Sequence, residues 1–411
     1  MKSFLVGICS FLLFLKAEAH TISVGAHLPV KRIKQALAMA KDGDTIMVHK
    51  GIYKEGTITI DKKIVFFGKN GPTLDGQYKC EILSVKADSV VVKGFRFLRS
   101  GVAALDDPCG IKVYNRAFVH IENNYLEDNF FGIYIQNGSN CLIKNNTVIA
   151  HGKDEQLIGN GIHCWKSTNL QIIANSIRGH RDGIYFEFVT NSVIWRNTST
   201  QNIRYGLHFM FSNDDAYISN IFKNNGAGVA VMFTKNVKMF NNTFEENWGD
   251  SAYGLLLKEI SDSYIFNNRF IKNTSAIYLE GASRIKLEKN VFKANGWAMK
   301  LQASCMDNEL TSNNFTGNTF DISTNGSLVL NTFNSNYWDK YEGYDLDRDG
   351  VGDVAYHPLS LFAVLTEKNP SSMILFRSFM ITLLDKSEKV LPSITPDNFI
   401  DNTPLMKSLP L

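Results

Sequence analysis

The densest run of chemistry-bearing residues lies late in the chain. Between Tyr344 and Val354, the carboxylates Asp345, Asp347, Asp349 and Asp353 alternate with other residues, and Gly350 stands sixth counting from Asp345. Acids at positions 1, 3, 5 and 9, a backbone carbonyl at 7 and a glycine at 6 form the donor pattern of a calcium loop. Val351 supplies that carbonyl, but position 12, which should hold a bidentate glutamate, is Tyr356. The spacing therefore predicts a structural Ca²⁺ loop of another type, ligated by Asp345, Asp347, Asp349, Val351 and Asp353. A plain Asp/Gly turn that tolerates positive φ is the simpler alternative.

A second group is soft. His163, His208, Met210 and Met232 offer imidazole and thioether donors, which suit Cu(I). The same residues also pack readily on apolar surface. Paired carboxylates for glycoside chemistry are harder to find. Glu187 and Glu280 share one column of the repeat described next but lie four turns apart, about 19 Å, too far for acid/base work on one bond. Asp182 and Glu187 sit at opposite ends of one strand.

Such residues must be positioned by something regular, and the chain repeats. Segments of the form Gly-apolar-x-apolar begin at Gly110, Gly132, Gly161, Gly183, Gly206, Gly228 and Gly254, with Ala276 and Ala298 continuing the series. Most steps are 22 or 23 residues, and the longer ones are explained by inserted loops such as that around His151 to Gly159. In the same phase run Asn124, Asn146, Asn175, Asn197, Asn220, Asn242, Asn268, Asn290 and Asn313. Side chains repeating at this period stack between turns, and asparagine ladders satisfy buried turn amides. The expected fold is all-β: a right-handed parallel β-helix with turns of about 22 residues.

Strand alternation then assigns faces. Ile111/Val113, Ile133/Ile135, Ile162/Cys164, Ile184/Phe186, Leu207/Phe209, Val229/Val231, Leu255/Leu257 and Ile277/Leu279 point inward. The outward residues form two columns. One runs through Tyr134, His163, Tyr185 and His208, the other through Trp165, Glu187, Met210 and Met232. Ile33, Ala36, Leu37 and Ala40 make a helical stripe expected to cap the first turn.

The ends are different. Residues 1–19 read as a signal peptide, with Lys2, an apolar run from Phe4 to Leu15, and Ala17-Glu18-Ala19 for cleavage. That implies an exported protein. The five cysteines beyond it, Cys80, Cys109, Cys141, Cys164 and Cys305, are not spaced as a disulfide framework. A net charge of +3 without a basic tract argues against nucleic acid as a partner. Met373 to Leu384 is apolar, interrupted by Arg377 and too short to span a bilayer, so it reads as a peripheral membrane or partner contact. Pro392, Pro396, Pro404 and Pro410 favour an extended tail. The expected divisions are 1–19 signal, 20–335 β-helix, 336–358 Asp-rich loop and 359–411 docking tail.

The run Asn336-Tyr337-Trp338-Asp339 through the Asp-rich loop to His357-Pro358, after such a repeat, resembles the NosD family of accessory proteins. Ser371-Ser372-Met373-Ile374-Leu375-Phe376-Arg377 and Asp401-Asn402-Thr403-Pro404-Leu405-Met406 are similar to that family's closing segments. The resemblance spans the mature chain and implies a non-enzymatic periplasmic protein. It would work with an ABC transporter permease and ATPase, a copper-chaperone lipoprotein and nitrous oxide reductase, whose copper–sulfide centre it helps mature. Copper would then be handled transiently. No family motif assigns His163, His208, Met210 or Met232 as its ligands. The competing readings are a secreted polysaccharide-active enzyme (a lyase, hydrolase or epimerase) and, third, a plain sugar-binding or surface scaffold.

Overall fold

The computed structural model describes residues 19–102, 107–152, 154–250, 252–326, 330–390 and 399–411. The expected signal peptide falls, apart from Ala19, outside the described residues. The chain coils as a right-handed parallel β-helix of three sheets with 14, 12 and 13 strands. Every strand pairs in parallel with the equivalent strand one turn away, as in Ile133↔Ile162 and Leu255↔Ile277. All the aliphatic and aromatic residues expected to face inward from the 12-stranded sheet are fully buried, Ile111 through Leu279. Each contributes roughly 1.5–3 kcal/mol by leaving water.

The glycine column has a steric cause. A Cβ on Gly110 would come within 2.8 Å of the Gly132 carbonyl oxygen, and one on Gly206 within 2.7 Å of the Gly228 oxygen. Successive turns approach too closely there for most side chains.

The asparagine column is a continuous hydrogen-bonded ladder. Asn220 Nδ2 donates to Asn242 Oδ1 at 3.0 Å and to the Ile194 carbonyl at 2.9 Å. Its own Oδ1 accepts from the backbone and side-chain N–H groups of Asn197. The residue just before each ladder asparagine takes the left-handed conformation, whether it is Asn123, Ala174, Arg196 or Lys289. A second ladder, through Asn202, Asn225, Asn247, Asn273, Asn295 and Asn318, runs beside it. Between them the rings of Phe244, Phe270, Phe292 and Phe315 stack within the core, ending on Trp338.

Both ends are covered. Helix α1 (Ile33–Met39) buries Ile33, Ala36 and Leu37 over the first turn, as expected. At the other end, the last strand, Tyr337–Trp338, leads into the Asp-rich loop. The chain terminus then returns to close the stack. Asp401 Oδ2 accepts from Asn336 Nδ2 at 3.0 Å and from Trp338 Nε1 at 3.1 Å, so a carboxylate terminates the asparagine ladder. Phe399 is fully buried against Phe333.

The expectation of an extended tail needs correction over 359–390, which is helical. Helix α2 (Leu361–Lys368) is capped by Ser360, whose side chain accepts the Ala363 N–H. A 3₁₀ turn (Pro370–Leu375) and helix α3 (Phe379–Val390) follow. The prolines lie beyond this helical stretch, so their restriction never acted on it. Residues 399–411 carry only isolated bridges and serve as the cap.

Candidate functional site

The outward columns of the 12-stranded sheet form in register as read. Tyr134, His163, Tyr185, His208 and Ala230 succeed one another across turns. Beside them run Trp165, Glu187, Met210, Met232, Lys258 and Glu280. This keeps Glu187 and Glu280 four turns apart. Asp182, at the start of its strand, is fully buried. It is clasped by Arg204 through Nε at 3.0 Å and Nη2 at 2.6 Å. Burial works against its charge, but His208 and Arg204 outweigh that and hold the carboxyl below its ordinary value.

The four soft donors do not converge as one set. Tyr185 lies between His163 and His208, its ring centroid 4.9 Å from each imidazole, so the histidines are two strand spacings apart, roughly 10 Å. His163 packs against Phe131 and Tyr134 and receives the Asn160 amide at 3.1 Å on Nδ1. Burial, then the nearby Arg181 charge, pushes its pKa down to about 3. It stays neutral as part of an aromatic stack. His208 is buried, with Nδ1 3.5 Å from Asp182 Oδ2. Met210 and Met232, in contrast, are direct in-register neighbours, and the Tyr185 hydroxyl donates to Met210 Sδ at 3.6 Å. His208, Met210 and Met232 thus share one patch, from which His163 is set apart.

One edge of this patch was invisible to strand alternation. Phe188, Phe211 and Phe233 occupy the corner directly after the outward column, all with φ near 50°. Their rings stack at 5.1 Å and are substantially exposed. Asn115 and Asn137 hold the same corner in earlier turns. A bulky side chain in the left-handed region is uncommon, and these rings do not serve the core.

In the Asp-rich loop, carboxylate oxygens of Asp345, Asp347 and Asp349 all lie within 4.8 Å of one another. Backbone amides hold them: Gly350 N–H donates to Asp345 at 3.0 Å and Val351 N–H to Asp349 at 2.7 Å. Gly350 has φ of 88°, which explains the glycine at that position. The Asp349 N–H favours the charged form of Asp347. The Asp349 charge, desolvation, and contacts with Asp345 and Asp353 outweigh it and raise that carboxyl. Asp353 is turned to the Leu346 N–H at 2.7 Å, and Val351 bridges to Leu405. The structure therefore brings together three of the five expected ligands. Glu127, Asp128 and His151 make a second cluster that the linear sequence hid, because they come from adjacent turns.

The helical arm 361–390 offers a surface of another kind. Phe362, Ala363 and Thr366 face the body. Outward stand Ile374 at 89% exposure and Phe379 at 83%, with Met380 and Leu383 beside them. No helix among the described residues is long and apolar enough to cross a membrane. The five cysteines are free.

Sequence comparison agrees with this architecture. Residues 150–343 match the family described as periplasmic copper-binding protein (NosD), and residues 52–169 match the right-handed β-helix region. A protein of Stutzerimonas stutzeri named probable ABC transporter binding protein NosD is 28% identical over 376 residues, covering 86% of this chain and 85% of its own. A Pseudomonas aeruginosa protein of the same name is 28% identical over 38% of this chain and 41% of its own. Among solved structures, the catalytic domain of a family 87 alpha-1,3-glucanase aligns with a TM-score of 0.57 and 14% identity, over 78% of this chain and 69% of that one. The A-module of the Azotobacter vinelandii mannuronan C-5 epimerase AlgE6 gives 0.51 and 16%, over 74% and 87%. At such identities these two establish the fold alone. With the family match, the relative that spans most of its length, and the continuous β-helix, the chain is similar to the NosD proteins.

Proposed function

We propose that this chain is a periplasmic accessory protein that works with an ABC transporter in maturing the copper–sulfide centre of nitrous oxide reductase, without catalysis of its own. The observation that carries the transporter half is the arm. It is a helical segment bound to the body by one face that leaves Ile374, Phe379, Met380 and Leu383 exposed to its surroundings. Exposed apolar surface of this kind marks a protein or membrane contact. It suits a permease at the bilayer surface, with the cytoplasmic ATPase reached through that permease. The relatives' printed name, ABC transporter binding protein, points the same way.

For the copper half, the donor chemistry of His208, Met210 and Met232 fits Cu(I) as transient cargo received from a copper-chaperone lipoprotein. His163 is left to the aromatic stack. Ca²⁺ on Asp345, Asp347 and Asp349 would brace the loop that meets the terminal cap at Leu405.

Co-purification with the permease tests the reading. The wild-type chain is expected to bring the permease down and Ile374→Asp with Phe379→Asp to lose it. Equal recovery by both would overturn the docking role. The polysaccharide-enzyme alternative is weaker, because the exposed acids of the groove are not paired across one bond and Asp182 is locked by Arg204.

A further inference from the structure

Where the arm crosses the outward face, it walls one side of a half-open cavity of about 490 Å³. Small-molecule sites fall in this size range. The floor comes from the 12-stranded sheet, with Tyr253, Lys258, Tyr278, Glu280 and Lys300. Glu367 and Met373 come from the arm.

The charges are arranged in closed pairs. Lys258 Nζ lies 3.0 Å from Glu280, and Lys300 Nζ lies 3.1 Å from Glu367. Glu367 also accepts from Gln302 and from Ser323, so it is fixed in place. Asp250 adds a third carboxylate to the lining. Both cations are therefore committed and the acids outnumber them.

The aromatic groups are placed differently. Trp297 is already covered, by Lys300 at 4.3 Å on its ring and by Phe320. Tyr278 stands in register between Leu256 and Lys300. Burial raises its phenol above the ordinary value, as do the nearby charges of Glu280 and Glu367. Tyr253 stacks on Tyr205 further along the wall.

We infer that this cavity binds a short neutral saccharide, with Tyr278 and Tyr253 as stacking platforms and the Lys258–Glu280 and Lys300–Glu367 pairs as partners for hydroxyl groups. A polyhydroxylated ligand uses donors and acceptors in equal measure, and paired lysines and glutamates offer both without a charge to neutralise. An acidic sugar polymer would meet an excess of carboxylates, because both lysines are held by glutamates and Asp250 adds a third acid. A purely apolar ligand would strand the ion pairs away from water. Met232 of the soft patch also lines this cavity, so the two sites adjoin, and the Cu(I) arm of the test below tells them apart.

Calorimetric titration of the full chain tests it with maltotetraose, cellotetraose, laminaritetraose, tetramannuronate and, anaerobically, Cu(I). At least one neutral tetrasaccharide is expected to bind, with tetramannuronate about tenfold weaker or more. Tyr278→Ala should weaken the neutral ligand about tenfold, and Tyr278→Phe, which keeps the ring, should stay within about threefold. Melting temperatures of the two variants serve as the folding control. No binding of any neutral sugar, equal binding of tetramannuronate, indifference to Tyr278→Ala in a folded variant, or a response to Cu(I) alone would each overturn the assignment.

Discussion

The asparagine corner and the helical arm are built on opposite terms. At the corner, each turn repeats the one before. A left-handed residue, a buried asparagine and a stacked ring recur until Asp401 closes the series. The asparagines and rings there are buried, and every ladder amide is spent on a neighbour. The arm repeats nothing, is attached through one face, and leaves large apolar residues in the open. The repeat supplies stability, and the arm supplies the surface proposed to dock. The difference is measurable, because a substitution in one region should move melting and leave binding alone, and in the other the reverse.

The largest effect belongs to the ladder. Asn220→Leu would take the side-chain partner from the buried Asn197 backbone N–H and from the Ile194 carbonyl, and would cut the ladder between Asn197 and Asn242. Each unsatisfied group costs about 1–3 kcal/mol, so denaturant unfolding should show a loss of several kcal/mol or failure to accumulate. If Asn220→Leu melted like wild type, the ladder would not be the source of stability.

Asp215 sharpens the same point from the opposite side. It occupies a buried turn where Asn308 and Asn331 sit in later turns, and its Oδ1 accepts the Ser192 N–H at 2.7 Å. Burial pushes its pKa up to about 8, against the pull of that N–H and with help from the Asp214 charge. The folded chain thus keeps a proton that the unfolded chain releases near pH 4. Stability should be undiminished below pH 4, fall as pH rises towards 8, and level off above. Asp215→Asn should remove most of this slope and stabilise the protein at pH 8 by an amount on the order of a few kcal/mol. Unfolding curves at pH 5 and pH 8 decide it.

On the arm, Ile374→Asp with Phe379→Asp should leave stability within about 0.5 kcal/mol, since both side chains are already in solvent. In the soft patch, Met210→Leu and Met232→Leu conserve volume and should cost under about 1.5 kcal/mol in melting. Each should weaken Cu(I) about tenfold in chelator competition. The smallest effect is expected at the Asp-rich loop, where millimolar Ca²⁺ should raise the melting temperature by about 2–4 °C. Asp345→Asn with Asp349→Asn should abolish that rise.

How much of this was legible depended on periodicity. The glycine column, the first asparagine ladder, the inward pairs from Ile111/Val113 onward and the capping helix could be read because their signals recur or follow a fixed helical spacing. The second ladder, five residues on from the first at Asn202 and Asn225, kept the same phase and was available to a closer reading. The candidate site was harder. Column membership placed Met210 beside Met232 and already set Tyr185 between His163 and His208, but it could not reveal that Asp182 is clasped by Arg204. The arm was read only as an apolar stretch, because a helix docked by one face leaves no repeat. That Asp401 ends the ladder begun at Asn124 rests on a contact with Asn336, 65 positions before it, and no local pattern encodes it.

The most direct test is the copper and sulfide content of nitrous oxide reductase from a host deleted for this gene, complemented with the wild-type chain or with Ile374→Asp and Phe379→Asp. The expected result is a folded reductase that keeps its other copper site and lacks the copper–sulfide centre. The wild-type chain should restore that centre and the arm variant should not. A fully loaded reductase in the deletion strain would contradict the maturation role outright. Full restoration by the arm variant would separate that role from the docking surface on which it is proposed to depend.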